Sequence, residues 1–190
     1  MRAGVLVLGP LLAKYGAAKV SLPGGCSIGS RPIDLHLTAL KKMGASIKVK
    51  NGYIIASATR GLKGCLIKFP RISVGATENI LIASCFSKGK TKLRNCASEP
   101  EVQDLIDFLK KLGCKINQIG KRGIDVLGVK KLKPVEHKVI FDRIEAGTYI
   151  IAAALTNGKI KINNVDPKIM STEISLLNKM RVKIIKKKII

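Results

Sequence analysis

The residue types that could do chemistry gather in one stretch, residues 22–36, reading Leu-Pro-Gly-Gly-Cys-Ser-Ile-Gly-Ser-Arg-Pro-Ile-Asp-Leu-His. Cys26 supplies a thiol, Arg31 a guanidinium fork, and Pro32 is a residue that readily opens a helix. Pro23, Gly24, Gly25 and Gly29 place the thiol on a turn-rich loop. A guanidinium beside the free N–H groups of a helix start accepts an anion, and both features favour a thiolate nearby. The chemistry implied is a phosphorylated ligand held next to a reactive thiol. The plainer reading is a glycine-rich connection with a small buried cysteine.

The other four cysteines, Cys65, Cys85, Cys96 and Cys114, lie in apolar or strand-like runs, where packing is their expected role. Five cysteines without a CxxC spacing argue against a disulfide framework or a zinc site, and for a reducing, cytoplasmic setting. The two histidines, His36 and His137, are too few and too far apart for a metal, and no cofactor is called for.

The elements that must position these residues are bounded by composition. With 190 residues, 46% hydrophobic and no Trp, the chain can bury one core or two small ones, and that core must be aliphatic. The apolar run at residues 5–12 follows Arg2 as in a signal peptide, but Lys14 breaks it and the same pattern recurs twice downstream, so it reads as a helix. No run reaches the length of a membrane span, so no membrane partner is expected. A net charge of +23 raises nucleic acid as a partner. Against it, the lysines are spread along the chain and no RNA-binding aromatic motif is present; a drift toward Lys, Ile and Asn, as in an A+T-rich genome, explains the excess. The positive field would still draw in phosphorylated small molecules.

The chain repeats. An apolar helix over residues 3–15 closed by Gly16 and followed by a strand at 18–22 is echoed by residues 76–88 before Gly89 with a strand at 91–94. A third copy runs over 146–157 to Gly158, then a strand at 159–162. Each glycine is expected in the left-handed position that ends a helix. A second helix also recurs, over 32–43 before Gly44 and over 100–112 before Gly113, so the two glycines stand 69 residues apart. Each is followed by a strand, at 45–49 and 114–119, a turn, and a further strand; Asn51-Gly52 is a strong hairpin signal. Leading strands are expected at 66–69 and 137–141. The third copy carries a helix from Pro167 to about residue 180, and Arg181 stands where Gly44 and Gly113 stood. That substitution requires a different helix end or a left-handed arginine, at about 1 kcal/mol. The chain is thus expected to begin inside one unit and end inside another.

Strand-helix-strand-helix-strand-strand units carrying Pro23 to His36 in one copy and Ser73-Val74-Gly75-Ala76-Thr77 in the next resemble the UDP-N-acetylglucosamine 1-carboxyvinyltransferases. Further markers are Met1-Arg2-Ala3, Leu8-Gly9-Pro10-Leu11, Gly61-Leu62-Lys63-Gly64, Glu99-Pro100-Glu101 and Asp142-Arg143-Ile144-Glu145-Ala146-Gly147-Thr148, so nearly the whole chain is covered.

What the resemblance implies is an α/β (α+β) fold, part of a two-domain inside-out α/β barrel with ligands in the cleft between domains. Residues 1–140 would be two of three units of the catalytic-loop domain, and 141–190 the first portion of the second. The family moves the enolpyruvyl group of phosphoenolpyruvate onto the 3′-hydroxyl of UDP-N-acetylglucosamine, releasing phosphate, at the start of peptidoglycan and cell wall synthesis. Cys26 matches the loop cysteine assigned as proton donor, which also forms an adduct with fosfomycin, so sensitivity to fosfomycin is expected. Arg2 and Arg31 match arginines of the ligand pocket. Arg31, Pro32, Ile33, Asp34 and Leu35, with Arg71, Ile72, Ser73, Val74 and Gly75, fall on segments that hold the nucleotide. His36, Asp142 and Arg143 are candidates for support.

Two departures matter. Arg71 replaces the Lys of many relatives, which keeps the charge and changes the hydrogen-bond geometry. Family members are about twice as long, and a Lys-Asn pair, an acid that assists deprotonation of the sugar hydroxyl, and later arginines have no counterpart here. The chain alone is therefore expected to be inactive unless another chain supplies the missing segments. Two alternatives remain: another enolpyruvyl transfer, which suits the residue 23–36 motif less well, and a non-enzymatic basic module binding anions or nucleic acid.

Overall fold

The computed structural model describes residues 2–24 and 32–185, with the backbone alone at residues 2 and 3. The chain divides into two compact units, Met1–His137 and Lys138–Ile190. In the first unit a 3-10 helix, Arg2–Val7, leads into α1 (Leu8–Tyr15) and β1 (Ala17–Ser21). Then follow α2 (Asp34–Lys42), β2 (Ser46–Lys50), β3 (Tyr53–Ser57) and β4 (Leu66–Lys68). The second copy supplies α3 (Val74–Ser84), β5 (Lys90–Arg94), α4 (Pro100–Lys111), β6 (Lys115–Ile119) and β7 (Gly123–Leu127). The second unit contains α5 (Arg143–Leu155) and α6 (Ser171–Lys179).

Two sheets form in the first unit, with orders β1-β3-β2 and β4-β5-β7-β6. All neighbours are antiparallel except β4 and β5, which run parallel and are connected through α3. The β2/β3 hairpin turns at Asn51 (φ 50°) and Gly52 (φ 75°), with Lys50 opposite Tyr53. Two left-handed residues in a two-residue loop match the right-handed twist of the flanking strands, which is why Asn-Gly announces this turn. Along β3 the exposure alternates, Ile54 and Ala56 facing inward, so one sheet face covers the helices and the other meets solvent.

The helices carry the core, and α3 lies at its centre against α1, α2 and α4. Ala76, Ile80, Leu81 and Ala83 of α3 are fully buried, and Phe69 is the one aromatic side chain in the fully buried set. The aliphatic core expected from composition is therefore present.

Helix ends follow one hydrogen-bond pattern. At Gly44 (φ 97°) the N–H donates to Lys41 C=O and the next N–H, of Ala45, to Leu40 C=O. Gly113 (φ 101°) repeats this with Lys110 and, through Cys114, with Leu109. Arg181 (φ 63°) does the same with Asn178 and, through Val182, with Leu177. Of the two outcomes left open at Arg181, the left-handed arginine is the one adopted.

Three expectations fail in detail. The left-handed residue after α5 is Asn157 (φ 51°), and Gly158 follows it, its N–H closing on Ala153 C=O. Asparagine tolerates this conformation, so the cap moves one residue early. α3 stops at Ser84, before Gly89, because Ser84 Oγ donates to Ile80 C=O and Ser87 Oγ to Ser84 C=O, side-chain bonds that compete with further helical turns. Residues 137–141 and 159–162 are not strands. In the first unit the parallel β4/β5 pair is backed by β7, which holds β5 over five residues; no hairpin plays that part among the described residues of the second unit. A short parallel pair is not stable unaided.

Arg181→Gly should stabilise the chain by about 1 kcal/mol, because glycine keeps the cap without the Cβ strain. Urea unfolding of the two proteins tests this, and a midpoint that stays put or falls counts against strain at Arg181.

Candidate functional site

The site is built from one buried side chain outward. Asn79 sits midway along α3, fully buried among apolar neighbours, where an unpaired amide would cost several kcal/mol. Its Oδ1 accepts the Gly9 N–H (2.9 Å), and its Nδ2 donates to Val5 C=O (3.0 Å) and to His36 Nδ1 (2.9 Å). One amide thus joins the 3-10 helix, the start of α1, α2 and α3. Gly9 is required for this approach: a Cβ there would fall on Asn79 Oδ1 and within 2.6 Å of the Asn79 backbone oxygen. The sequence reading did not single out Asn79. Its signal was available as the amide in the middle of the apolar run of α3.

His36 is buried and accepts at Nδ1, which leaves Nε2 to carry the proton of the neutral ring. Burial lowers its pKa, and the Asp34 carboxylate opposes that shift to a lesser degree. The ring lies against the first turn of α3, where a Cβ added to Gly75 would be 3.5 Å from His36 Cε1 and 3.9 Å from Leu6 Cδ2. The N-termini of α2 and α3 are therefore neighbours, with the 3-10 helix beside them.

This convergence unites most of the nucleotide segments expected from the resemblance. Pro32 is exposed, Ile33 precedes α2 without a side-chain cap, Asp34 is its first residue, and Leu35 packs inward. On the other side Arg71 and Ile72 are exposed, Ser73 caps α3 by accepting the Ala76 N–H (3.3 Å), and Val74 and Gly75 open it. Arg71 Nη2 donates to Asp34 Oδ1 at 2.6 Å across the two helix starts. Both side chains are about half exposed, so the pair adds at most about 1 kcal/mol to stability; what it does is place a guanidinium over the α2 N-terminus. Two helix N-termini and a guanidinium can together take an anionic, phosphate-bearing group.

Cys26 and Arg31 lie outside the described residues. Arg2 is the first residue of the 3-10 helix, with its backbone alone described. Asp142 and Arg143 belong to the second unit. Asp142 caps α5, accepting the Ile144 and Glu145 N–H groups (2.8 and 3.0 Å), and Arg143 Nη1 stands 3.8 Å from Glu173 Oε1. In this unit both serve local structure.

The described thiols pack in or beside the core, and Cys114 alone among them is lowered, by its hydrogen bond with Cys85. Cys85, Cys96 and Cys114 are buried and Cys65 half-buried. Burial pushes the Cys96 thiol up to about 11 and raises Cys65; Cys85 is raised by its hydrogen bond with Cys114 and then by burial. Among the described residues no three His, Cys, Asp or Glu side chains cluster as a metal site. No described helix is long and apolar enough to cross a membrane.

The repeat and its two sheets make this an α/β protein in which two helix N-termini meet beside a guanidinium. The model of the EPSP synthase (3-phosphoshikimate 1-carboxyvinyltransferase) family matches residues 1–189, and the chain belongs to that family. Among similar proteins, a UDP-N-acetylglucosamine 1-carboxyvinyltransferase of Pelagibacter ubique is 60% identical over 188 residues, 99% of this chain and 45% of that protein. Another, from Koribacter versatilis, is 52% identical over 97% of this chain and 42% of its own length. The chain thus spans somewhat under half the length of the curated relatives it matches. In fold it is similar to the enolpyruvyl transferase NikO from Streptomyces tendae, with a TM-score of 0.76 at 22% identity over 96% of this chain and 44% of that one. The resemblance and the fold class read from the motifs are borne out.

Asn79→Ala strands the Gly9 N–H, Val5 C=O and His36 Nδ1 and should cost on the order of 3 kcal/mol in chemical denaturation. Because His36 titrates lower when folded than its ordinary 6.5, the unfolded chain takes up the proton first. Stability should therefore fall as pH drops below about 6.5, and level off once the folded-state ring is protonated too. His36→Asn, which keeps an acceptor near Nδ1, should show a smaller loss between pH 7 and 5; an identical pH profile would remove His36 as the cause.

Proposed function

We propose that this chain supplies the thiol loop and the nucleotide cradle for transfer of the enolpyruvyl group of phosphoenolpyruvate to the 3′-hydroxyl of UDP-N-acetylglucosamine. The observation that carries this reading is the meeting of residues 32–36 with residues 71–75 at two adjacent helix N-termini, bridged by Arg71 and Asp34. The names of its relatives agree with it.

In this reading the diphosphate lies over the two N-termini with Arg71 as its guanidinium donor, and Arg31 and Arg2 face the negative charge of both substrates. Ile33, Ile72 and Val74 shape the wall beside Pro32, Ser73 and Gly75, and Leu35 anchors that turn of α2 in the core. The 3′-oxygen bonds to C2 of phosphoenolpyruvate while the Cys26 thiol gives a proton to C3; the hydroxyl proton goes to a base. The C2–O bond to phosphate then breaks, phosphate leaves with the electron pair, and C3 loses a proton to restore the double bond. Preorganised N–H and guanidinium donors lower the barrier because they meet charge that peaks in the tetrahedral intermediate. An acid that protonates carbon needs a pKa near the working pH, which a thiol beside a guanidinium can reach.

The base for the sugar hydroxyl and further donors to phosphoenolpyruvate fall to segments that this chain does not match in its relatives, so turnover needs those segments as well. His36 supports the cradle through Asn79, and Asp142 and Arg143 remain support residues of the second unit. The setting is cytoplasmic, where both substrates are small soluble molecules.

Titration calorimetry with UDP-N-acetylglucosamine tests the cradle. Wild-type chain should bind, and Arg71→Ala should weaken binding about 10- to 100-fold, the usual worth of a hydrogen bond to a charged group. Cys26→Ser should leave binding intact and abolish labelling of the chain by fosfomycin. A folded chain that does not bind the nucleotide sugar, or binds it equally well as Arg71→Ala, overturns the assignment.

A further inference from the structure

The sheet β4-β5-β7-β6 gathers charge that is scattered in the sequence. Residues opposite one another across a ladder share a face, and alternate residues of a strand return to it. By this register Lys68, Lys90, Lys92, Arg94 and Lys115, all the cations of the four strands, lie on one face. The other face, with Ile67, Thr91, Leu93 and Val126, is buried on the core, so the cations look outward.

Asp125 is the one acid on these strands, and the face neutralises it from within. Lys90 Nζ and Arg94 Nη1 each stand 2.8 Å from one of its oxygens, and the carboxylate is buried beneath them. What solvent meets is positive, with Lys68, Lys92 and Lys115 exposed. Among these cations stand three exposed apolar side chains, Leu66 (60%), Ile119 (43%) and Leu127 (43%). Leu66 is opposite Lys92, Leu127 lies between Lys90 and Lys115, and Ile119 shares the row of Arg94.

We infer that this face rests on the surface of an anionic phospholipid bilayer, its lysines meeting the phosphate headgroups and Leu66, Ile119 and Leu127 entering the headgroup boundary. Charge complementarity selects an anionic occupant, and the apolar side chains select among anions. A nucleic acid would leave those three side chains in water, since none of the four strands carries an aromatic ring on which a base could stack. A lipid surface answers both features, because attraction to anionic headgroups and burial of apolar area add. The contact is peripheral: no described helix is long and apolar enough to cross a membrane. It uses none of the residues of the α2 and α3 helix starts, and it stands whether or not the proposed transfer reaction is correct.

The test is co-sedimentation of the full 190-residue chain with vesicles of phosphatidylcholine alone or mixed with phosphatidylglycerol. The chain should bind the mixed vesicles and not the neutral ones, and added salt should weaken that binding. Lys68→Gln with Lys92→Gln should raise the lipid concentration for half-binding about tenfold or more. Lys48→Gln with Lys50→Gln removes the same charge from the other sheet and should change it less than about twofold. Leu66→Ser with Leu127→Ser should raise it about fivefold and leave the salt dependence as it was. All three double variants lie at exposed positions, and circular dichroism and urea midpoints should match the parent chain. Absence of binding to the mixed vesicles, equal binding to neutral ones, or equal loss in the two lysine variants overturns the inference. Retention of a single-stranded oligonucleotide that Lys68→Gln with Lys92→Gln abolishes, without vesicle binding, would overturn it in favour of nucleic acid as the occupant.

Discussion

The Asn79 amide is the constraint on which the candidate site depends. It makes three hydrogen bonds in a fully buried position, so the elements it touches hold one relative position. Gly9 permits the close approach of α1, and His36 extends the contact into α2. Because His36 lies against Gly75, fixing Asn79 also fixes the distance between the two helix N-termini. The residues that meet a ligand can then be few and exposed, since none of them carries the fold.

Electrostatics follows the same division. The interior is aliphatic; Asn79, His36, Thr77, Ser84, Ser87 and Thr91 within it are neutral and hydrogen-bonded, and the buried carboxylate of Asp125 is paired with Lys90 and Arg94. The excess positive charge lies outside, where it costs little and favours phosphorylated ligands near the surface. Asp34 is an acid at the start of α2, where the helix dipole welcomes it, and it holds Arg71 over that terminus. The described thiols are buried or half-buried: burial raises Cys65 and Cys96, and the hydrogen bond with Cys114, then burial, raises Cys85, while the same bond lowers Cys114.

The two units show how much a repeat owes to its neighbours. The first has helices packed on several sides and two sheets, one of which sets the β6/β7 hairpin behind its parallel pair. The second has the same sequence signals with fewer partners: Ile144, Tyr149 and Leu155 of α5 are exposed, and the strand-like runs at 137–141 and 159–162 form no ladder. Periodicity states what a segment can become, and ladder partners decide whether it does.

Legibility in the sequence followed physical range. Signals that act within a few residues were readable: the Asn51-Gly52 turn, the glycine caps at Gly16, Gly44 and Gly113, a helix end at Arg181 with its conformation left open, and the hydrophobic period of the helices. The repeat, through its 69-residue spacing, exposed the unit order and carried the family resemblance. The exact end of α3 and the cap at Asn157 escaped, because side-chain bonds from Ser84 and Ser87 and the tolerance of asparagine compete with glycine on terms of a kilocalorie or less, on the order of thermal scatter in such preferences. By itself the sequence showed which residue types could do chemistry, and the order of the elements that carry Asp34 and Arg71. Only the tertiary structure decided that Asp34 meets Arg71, 37 residues away, and that Asn79 joins Val5, Gly9 and His36, because contacts between distant segments depend on how whole helix faces pack.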